Sequence, residues 1–118
     1  MIPEIESSQL CQFVEASSHF ILSQRGLYPD AIFVSRLAFG VPVKFSIHPE
    51  VNKFIENSLD GFLAALDSKS EGETIGIDLV ISDYDGDLVE KYAFRFGNLR
   101  IKPKEKYVLA DKELREHS

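Results

Sequence analysis

Asp83, Asp85 and Asp87 alternate around Gly86, and carboxylates so spaced invite a calcium reading. A helix-flanked calcium loop needs its glycine at the sixth position and a bidentate glutamate at the twelfth. Counted from Asp83, the glycine is fourth and the twelfth residue is Phe94. The flanks alternate as strands do, so the stretch reads as a solvated hairpin turn, where Asp and Gly are favoured. The three histidines, His19, His48 and His117, have no His, Cys or carboxylate companion at zinc spacing. His48 precedes Pro49 and reads as a helix cap, and His19 lies on a helix flank beside the apolar stripe. Cys11, the single cysteine, lacks a Cys-x-x-Cys partner and a Gly-rich elbow and reads as a small, partly buried filler. The glycines are scattered singly, so no loop cradles a phosphate, and Glu90-Lys91 reads as an exposed charge pair. No metal or cofactor is expected. These residues favour a binding module over an enzyme.

The chain has 118 residues, 44% of them hydrophobic and 27% charged, which suits one small globular domain. Nineteen acids against thirteen bases give a net charge of −6, which argues against a domain held to DNA or an anionic membrane by its overall field. The charge is uneven. Residues 1–97 carry fifteen acids and seven bases (−8), and residues 98–118 carry six bases and four acids (+2). A lone cysteine excludes an internally stapled secreted scaffold. With an acidic start and no long apolar run, the expected compartment is the nucleus or cytosol.

The periodicity predicts a helix over 8–24, with Leu10, Phe13, Val14, Ser17, Phe20 and Ile21 on one face and Ser7 or Ser8 as its cap. Ile32-Phe33-Val34 fits a turn of helix or a short strand. Val41, Val43, Phe45 and Ile47 alternate as a strand, which Pro42 assigns to an edge. A second helix starts at His48-Pro49, and Val51, Phe54, Ile55, Leu59, Phe62, Leu63 and Leu66 form its stripe. Gly61 within it predicts a crowded contact. Alternating residues 75–82 and 88–96, joined through Asp85-Gly86, predict a hairpin. The fold class is therefore α+β, helices packed on one face of an antiparallel sheet. Lys102-Pro103-Lys104 interrupts any regular element, which leaves residues 97–118 between a docked strand and a loose tail.

Three stretches carry a family resemblance. Arg25-Gly26-Leu27-Tyr28-Pro29 follows the first helix, Val41-Pro42-Val43 runs into Ser46-Ile47-His48-Pro49-Glu50, and Val89-Glu90-Lys91-Tyr92-Ala93-Phe94 forms the last strand. In this order they resemble the HORMA domain over about residues 8–97, and the Val-Pro-Val and His-Pro pieces resemble its branch serving as non-catalytic accessory subunit of DNA polymerase zeta. The resemblance implies a HORMA-like fold without catalytic activity, which captures a partner's short peptide at a sheet edge and closes a C-terminal safety belt over it.

The resemblance also implies a site. Phe54 matches an aromatic of the peptide pocket, although its place in the helical stripe favours a core role, and Leu79 lies on the receiving strand. Tyr107-Val108-Leu109-Ala110-Asp111 resembles the start of the belt, which would bring Tyr107 and Leu109 to the peptide. The family's third helix and ribbon have no counterpart in the twenty-one residues after Gly97, so the expected domain is residues 1–97, incomplete at its C-terminal side. Residues 98–118 would be a basic tail, a belt remnant, in a truncated or internally deleted form. The implied partner is a peptide of a polymerase catalytic subunit or repair scaffold, with dimerisation on another HORMA protein and no direct sequence-specific nucleic-acid or membrane binding. A spindle-checkpoint or meiotic adaptor and a non-binding fragment are the alternatives.

Overall fold

Glu6 is extended (φ −74°, ψ 142°), and its backbone N–H donates to Gln9 Oε1 at 3.0 Å, which starts the first helix. The cap is thus Glu6, and Ser7 and Ser8, expected there, lie inside the first turn. The structure, a computed structural model, describes residues 4–97 and 99–102. Its elements are β1 (Glu4–Glu6), α1 (Ser7–Gln24), a 3-10 turn (Asp30–Ile32), β2 (Phe33–Ala38), β3 (Val41–Ser46), α2 (Pro49–Asp67), β4 (Ile75–Ser82), β5 (Leu88–Phe96) and β6 (Arg100–Lys102). None of the helices described is long and apolar enough to cross a membrane.

The buried arc of α1 is not the expected one. Phe13 and Phe20 are 46% and 48% exposed, while Ser7, Cys11, Ser18 and Leu22 join Leu10 and Val14 inside. Small Ser and Cys side chains let neighbours approach closely, but they score as polar or neutral and hide the face from a hydropathy pattern. His19 is buried as well, not on the flank: its Nδ1 accepts the Ser46 N–H at 3.0 Å and its ring lies 4.7 Å from that of Phe45. The helix ends as expected, with Arg25 N–H on the Ile21 carbonyl and Gly26 at φ +65°.

β2 and β3 form an antiparallel hairpin that the sequence did not reveal. Its two-residue turn places both Phe39 (φ 54°) and Gly40 (φ 75°) in the left-handed region. A phenylalanine there lacks the Asn-Gly or Asp-Gly signature of such turns. Pro42 sits in this two-stranded ribbon, where every strand is an edge.

α2 agrees closely with expectation. His48 Nδ1 accepts the Glu50 N–H at 3.2 Å, and Val51, Ile55, Leu59, Phe62 and Leu66 are buried. Gly61 is not crowded: a Cβ there would meet nothing within 4 Å.

β4 and β5 form the expected hairpin. Asp83 Oδ1 accepts the N–H groups of Asp85 (3.0 Å) and Asp87 (2.9 Å), and Gly86 takes φ +86°. The Asp83 carboxylate thus organises the turn. Among the described residues no cluster of His, Cys, Asp or Glu could hold a metal.

The strands form three separate pairs, not one antiparallel sheet: β2–β3, β4–β5 and a parallel β1–β6 pair. The last brings Arg100–Lys102 beside the start of α1, in register Glu4 with Arg100 and Glu6 with Lys102. The core lies where α1 and α2 meet the inner face of β4–β5, with Ile77, Phe94, Phe96 and Ile101 against it. Phe62 and Phe96 rings stand 6.0 Å apart.

Candidate functional site

Phe54 belongs by spacing to the apolar stripe of α2, yet it is 61% exposed. Its core reading is therefore overturned. It stands above an open groove of about 680 Å³ between α2, the loop after α1, and β4. Val51 and Leu22 are buried at the base, and Leu79 and Ile81 project from β4 at 8% and 9% exposure. Leu27 (47% exposed) and Tyr28 (41%) form the far wall.

Six consecutive residues, Leu79 to Tyr84, line this groove. Side chains of a strand alternate between faces, so an unbroken run is presented only along the strand's edge. Among the described residues β4 pairs with β5 alone, which leaves its other edge to offer backbone N–H and C=O groups. On its other side Phe54 borders a smaller apolar cleft of about 40 Å³, shared with Leu59, Ile77, Leu79 and Phe94. The arrangement is a hydrophobic trough beside a strand edge that is unpaired among the described residues, suited to an extended peptide.

The groove is held at both ends. Arg25, at the exit of α1, forms an ion pair with Glu90 of β5, and the Tyr92 hydroxyl donates to the same carboxylate. That hydrogen bond raises the Tyr92 pKa above its ordinary value. Glu90 is therefore tied to the loop carrying Leu27 and Tyr28, where an exposed pair with Lys91 was expected. At the other end His48 caps α2 and accepts the N–H of Glu50, which stands at the rim. Behind the site, on the outer face of β4–β5, Arg95 Nη1 meets Asp78 Oδ1 at 2.5 Å, and this hydrogen bond holds the Asp78 carboxyl below its usual range.

Of the four residues expected at a peptide, the fold brings Phe54 and Leu79 onto one groove. Tyr107 and Leu109 lie outside the described residues. Leu27, Tyr28 and Ile81 were not singled out for the site. Ile81 shares strand parity with Leu79, which was legible; Leu27 and Tyr28 reach the groove from a loop whose neighbouring Arg25 pairs with Glu90, 65 residues on, and no local pattern marks that.

No protein-family profile matches the chain. Curated relatives do. It is 36% identical over 91 residues to the human mitotic spindle assembly checkpoint protein MAD2B, 77% of this chain and 42% of that one. It is 36% identical to the Bos taurus protein of that name over 100 residues, and 34% identical to the Danio rerio one over 94. These cover 85% and 80% of this chain and 46% and 43% of theirs. The chain thus spans less than half the length of the curated relatives it matches. Among solved structures, a chain in the crystal structure of a mitotic checkpoint complex superposes with a TM-score of 0.62 at 24% identity, over 74% of this chain and 47% of that one. At that identity the likeness shows the fold.

Proposed function

The chain belongs to the HORMA family, as a relative of MAD2B, and from that premise we propose that it is a non-catalytic adaptor which receives a partner's peptide in the Phe54 groove. The observation that carries this reading is the pairing of an exposed aromatic with a strand edge unpaired among the described residues: Phe54 stands 61% exposed beside the run Leu79–Tyr84. Main-chain bonds to β4 would supply affinity, and the trough around Phe54 and Leu79 would select an apolar or proline-containing segment. Within this reading the partner is a peptide of the DNA polymerase zeta catalytic subunit or of a repair scaffold, in translesion synthesis in the nucleus. The Val41-Pro42-Val43 and His48-Pro49 stretches support that branch. Tyr107 and Leu109 of the belt-like run would close over the peptide.

The names of the relatives favour a second reading, a spindle-checkpoint adaptor with a different peptide preference. Titration calorimetry of the 118-residue chain against proline-containing polymerase-zeta peptides and checkpoint-partner peptides separates the two. Binding of the former at about micromolar strength, near −8 kcal/mol, lost in Phe54→Ala and kept in Cys11→Ala, supports the polymerase reading. Preference for checkpoint peptides supports the second. No binding of either removes both and leaves a non-binding fragment.

A further inference from the structure

The loop between α2 and β4 carries Ser70-Glu71-Gly72-Glu73. Ser70 is exposed, and its hydroxyl makes no hydrogen bond among the described residues. A single turn shapes its backbone: the Ser70 N–H donates to Glu73 Oε2 at 3.0 Å, and the Glu73 N–H donates to the Ser70 carbonyl at 3.1 Å. No strand ladder has to break for this loop to extend. Carboxylates follow the hydroxyl at one and three residues, which is complementary to a kinase with a basic substrate cleft. Two other serines have similar spacing and are less available. Ser82 precedes Asp83 and Asp85, but it is paired with Leu88 in the β4–β5 ladder, and Asp83 Oδ1 already accepts two backbone N–H groups. Ser68 has Glu71 three residues on, but its hydroxyl donates to the Ala64 and Ala65 carbonyls at the end of α2.

Two cations bracket Ser70. Lys69 Nζ donates to the Ser70 carbonyl at 3.1 Å and to the Leu99 carbonyl at 3.3 Å, so the loop and the chain entering β6 meet on one ammonium. Next to Ser70, Glu71 Oε1 pairs with Arg100 Nη2 at 3.3 Å. Both partners of that pair are about half exposed (52% and 54%), so it holds weakly. We infer that Ser70 is a phosphorylation site, whose phosphate clamps β6 onto the α2–β4 loop through Lys69 and Arg100. The serine oxygen attacks the γ-phosphorus of ATP, the bond from that phosphorus to the ADP oxygen breaks, and the hydroxyl proton passes to the kinase's base. The product carries nearly two negative charges and three acceptor oxygens. The guanidinium meets it as a fork and the ammonium as a point charge, each more strongly than it meets a neutral carbonyl. Glu71 and Glu73 repel the added charge, so the clamp needs both cations engaged. β6 pairs with β1, which carries the effect to the start of α1. None of these residues lines the Phe54 groove.

The probe is casein kinase 2 with ATP, acting on the folded 118-residue chain, followed by phosphopeptide mapping. Phosphate is expected on Ser70, lost in Ser70→Ala and kept in Ser68→Ala and Ser82→Ala. By phosphorus NMR the group should titrate below its ordinary second pKa of about 6, and below its midpoint in a free phosphopeptide of residues 67–75. Exchange of the Ile101 and Lys102 amides should slow about tenfold on phosphorylation, the factor that one charge-assisted hydrogen bond supports. In Arg100→Gln the phosphate should still be added, without the slower exchange. Phosphate confined to Ser68 or Ser82, none on the folded chain, a midpoint at or above that of the free peptide, or unchanged exchange in β6 would each overturn the inference.

Discussion

His19 Nδ1 accepts the backbone N–H of Ser46 at 3.0 Å, and this bond joins the middle of α1 to the end of β3. Both residues are buried, at 4% and 5% exposure. Nδ1 accepts through its lone pair, so this contact requires that nitrogen to carry no proton. The same ring packs on Phe45, so one side chain holds the hairpin by a polar and an apolar contact.

His19→Ala should therefore free the hairpin before it unfolds the domain. It leaves the Ser46 N–H buried without its acceptor, a loss of about 1–3 kcal/mol. Amide exchange should accelerate at Ser46 and along β2–β3 while α2 stays protected. Uniform acceleration over the chain would show that the hairpin and the helices open as one unit.

Two glycines should respond in opposite directions to alanine. Gly61 is exposed within α2 with open space around it, so Gly61→Ala should stabilise by about 0.5–1 kcal/mol, through helix propensity and a less flexible unfolded chain. At Gly76 a Cβ would lie 2.6 Å from Arg95 Nη1 and 2.8 Å from the Phe94 carbonyl oxygen. The arginine can swing aside, but the backbone oxygen of the paired strand cannot without distorting the ladder. Gly76→Ala should destabilise and displace the Arg95–Asp78 pair, so the Asp78 carboxyl would titrate nearer its ordinary value by NMR. A neutral or stabilising Gly76→Ala would show that the strands relax freely.

The Cys11 thiol is pushed up to about 12, chiefly by burial, with the Glu15 charge adding to the effect. It should be nearly inert to alkylation at mildly alkaline pH in the folded protein and react fully in denaturant. Since the folded value lies above the unfolded 9.0, the protonated thiol's contribution to stability is complete below pH 9. It is lost as pH rises from 9 towards 12. Rapid native-state alkylation would indicate that α1 opens locally.

Legibility in the sequence followed how local the cause was. α2 was readable because its cap, first-turn proline and stripe lie within its own residues, and β4–β5 because Asp85-Gly86 names its turn. The β2–β3 hairpin was not, since its two-residue turn puts a phenylalanine at positive φ, where Asn-Gly or Asp-Gly is the readable signature. Neither was the pairing of Arg100–Lys102 with Glu4–Glu6, three-residue strands far apart in sequence, too short for an alternation to register. Strand parity put Leu79 on the inner face of β4, where it is buried, whereas Phe54 carried two readings. Spacing put it on the inner stripe, and only the position of β4 relative to α2 turns it outward.

Phe54 and Leu66 share that stripe and should separate cleanly on substitution. Leu66 is 1% exposed, so Leu66→Ala should cost about 2–5 kcal/mol by leaving a cavity between α1 and α2. That is a large part of the stability of a small domain. Phe54 already has most of its surface in water, so Phe54→Ala forfeits little apolar burial, and its denaturant midpoint should stay near that of the parent. Peptide capture should show the reverse order. Phe54→Ala should lose it with the fold intact, and Leu66→Ala should retain it under conditions where the variant remains folded. Denaturant melts and calorimetric titration on the same samples read both quantities. A Phe54→Ala variant that melts as early as Leu66→Ala would mean that the aromatic supports the core from the groove side. One that is stable and still binds would remove Phe54 from the site and move the search along β4 towards Leu27 and Tyr28.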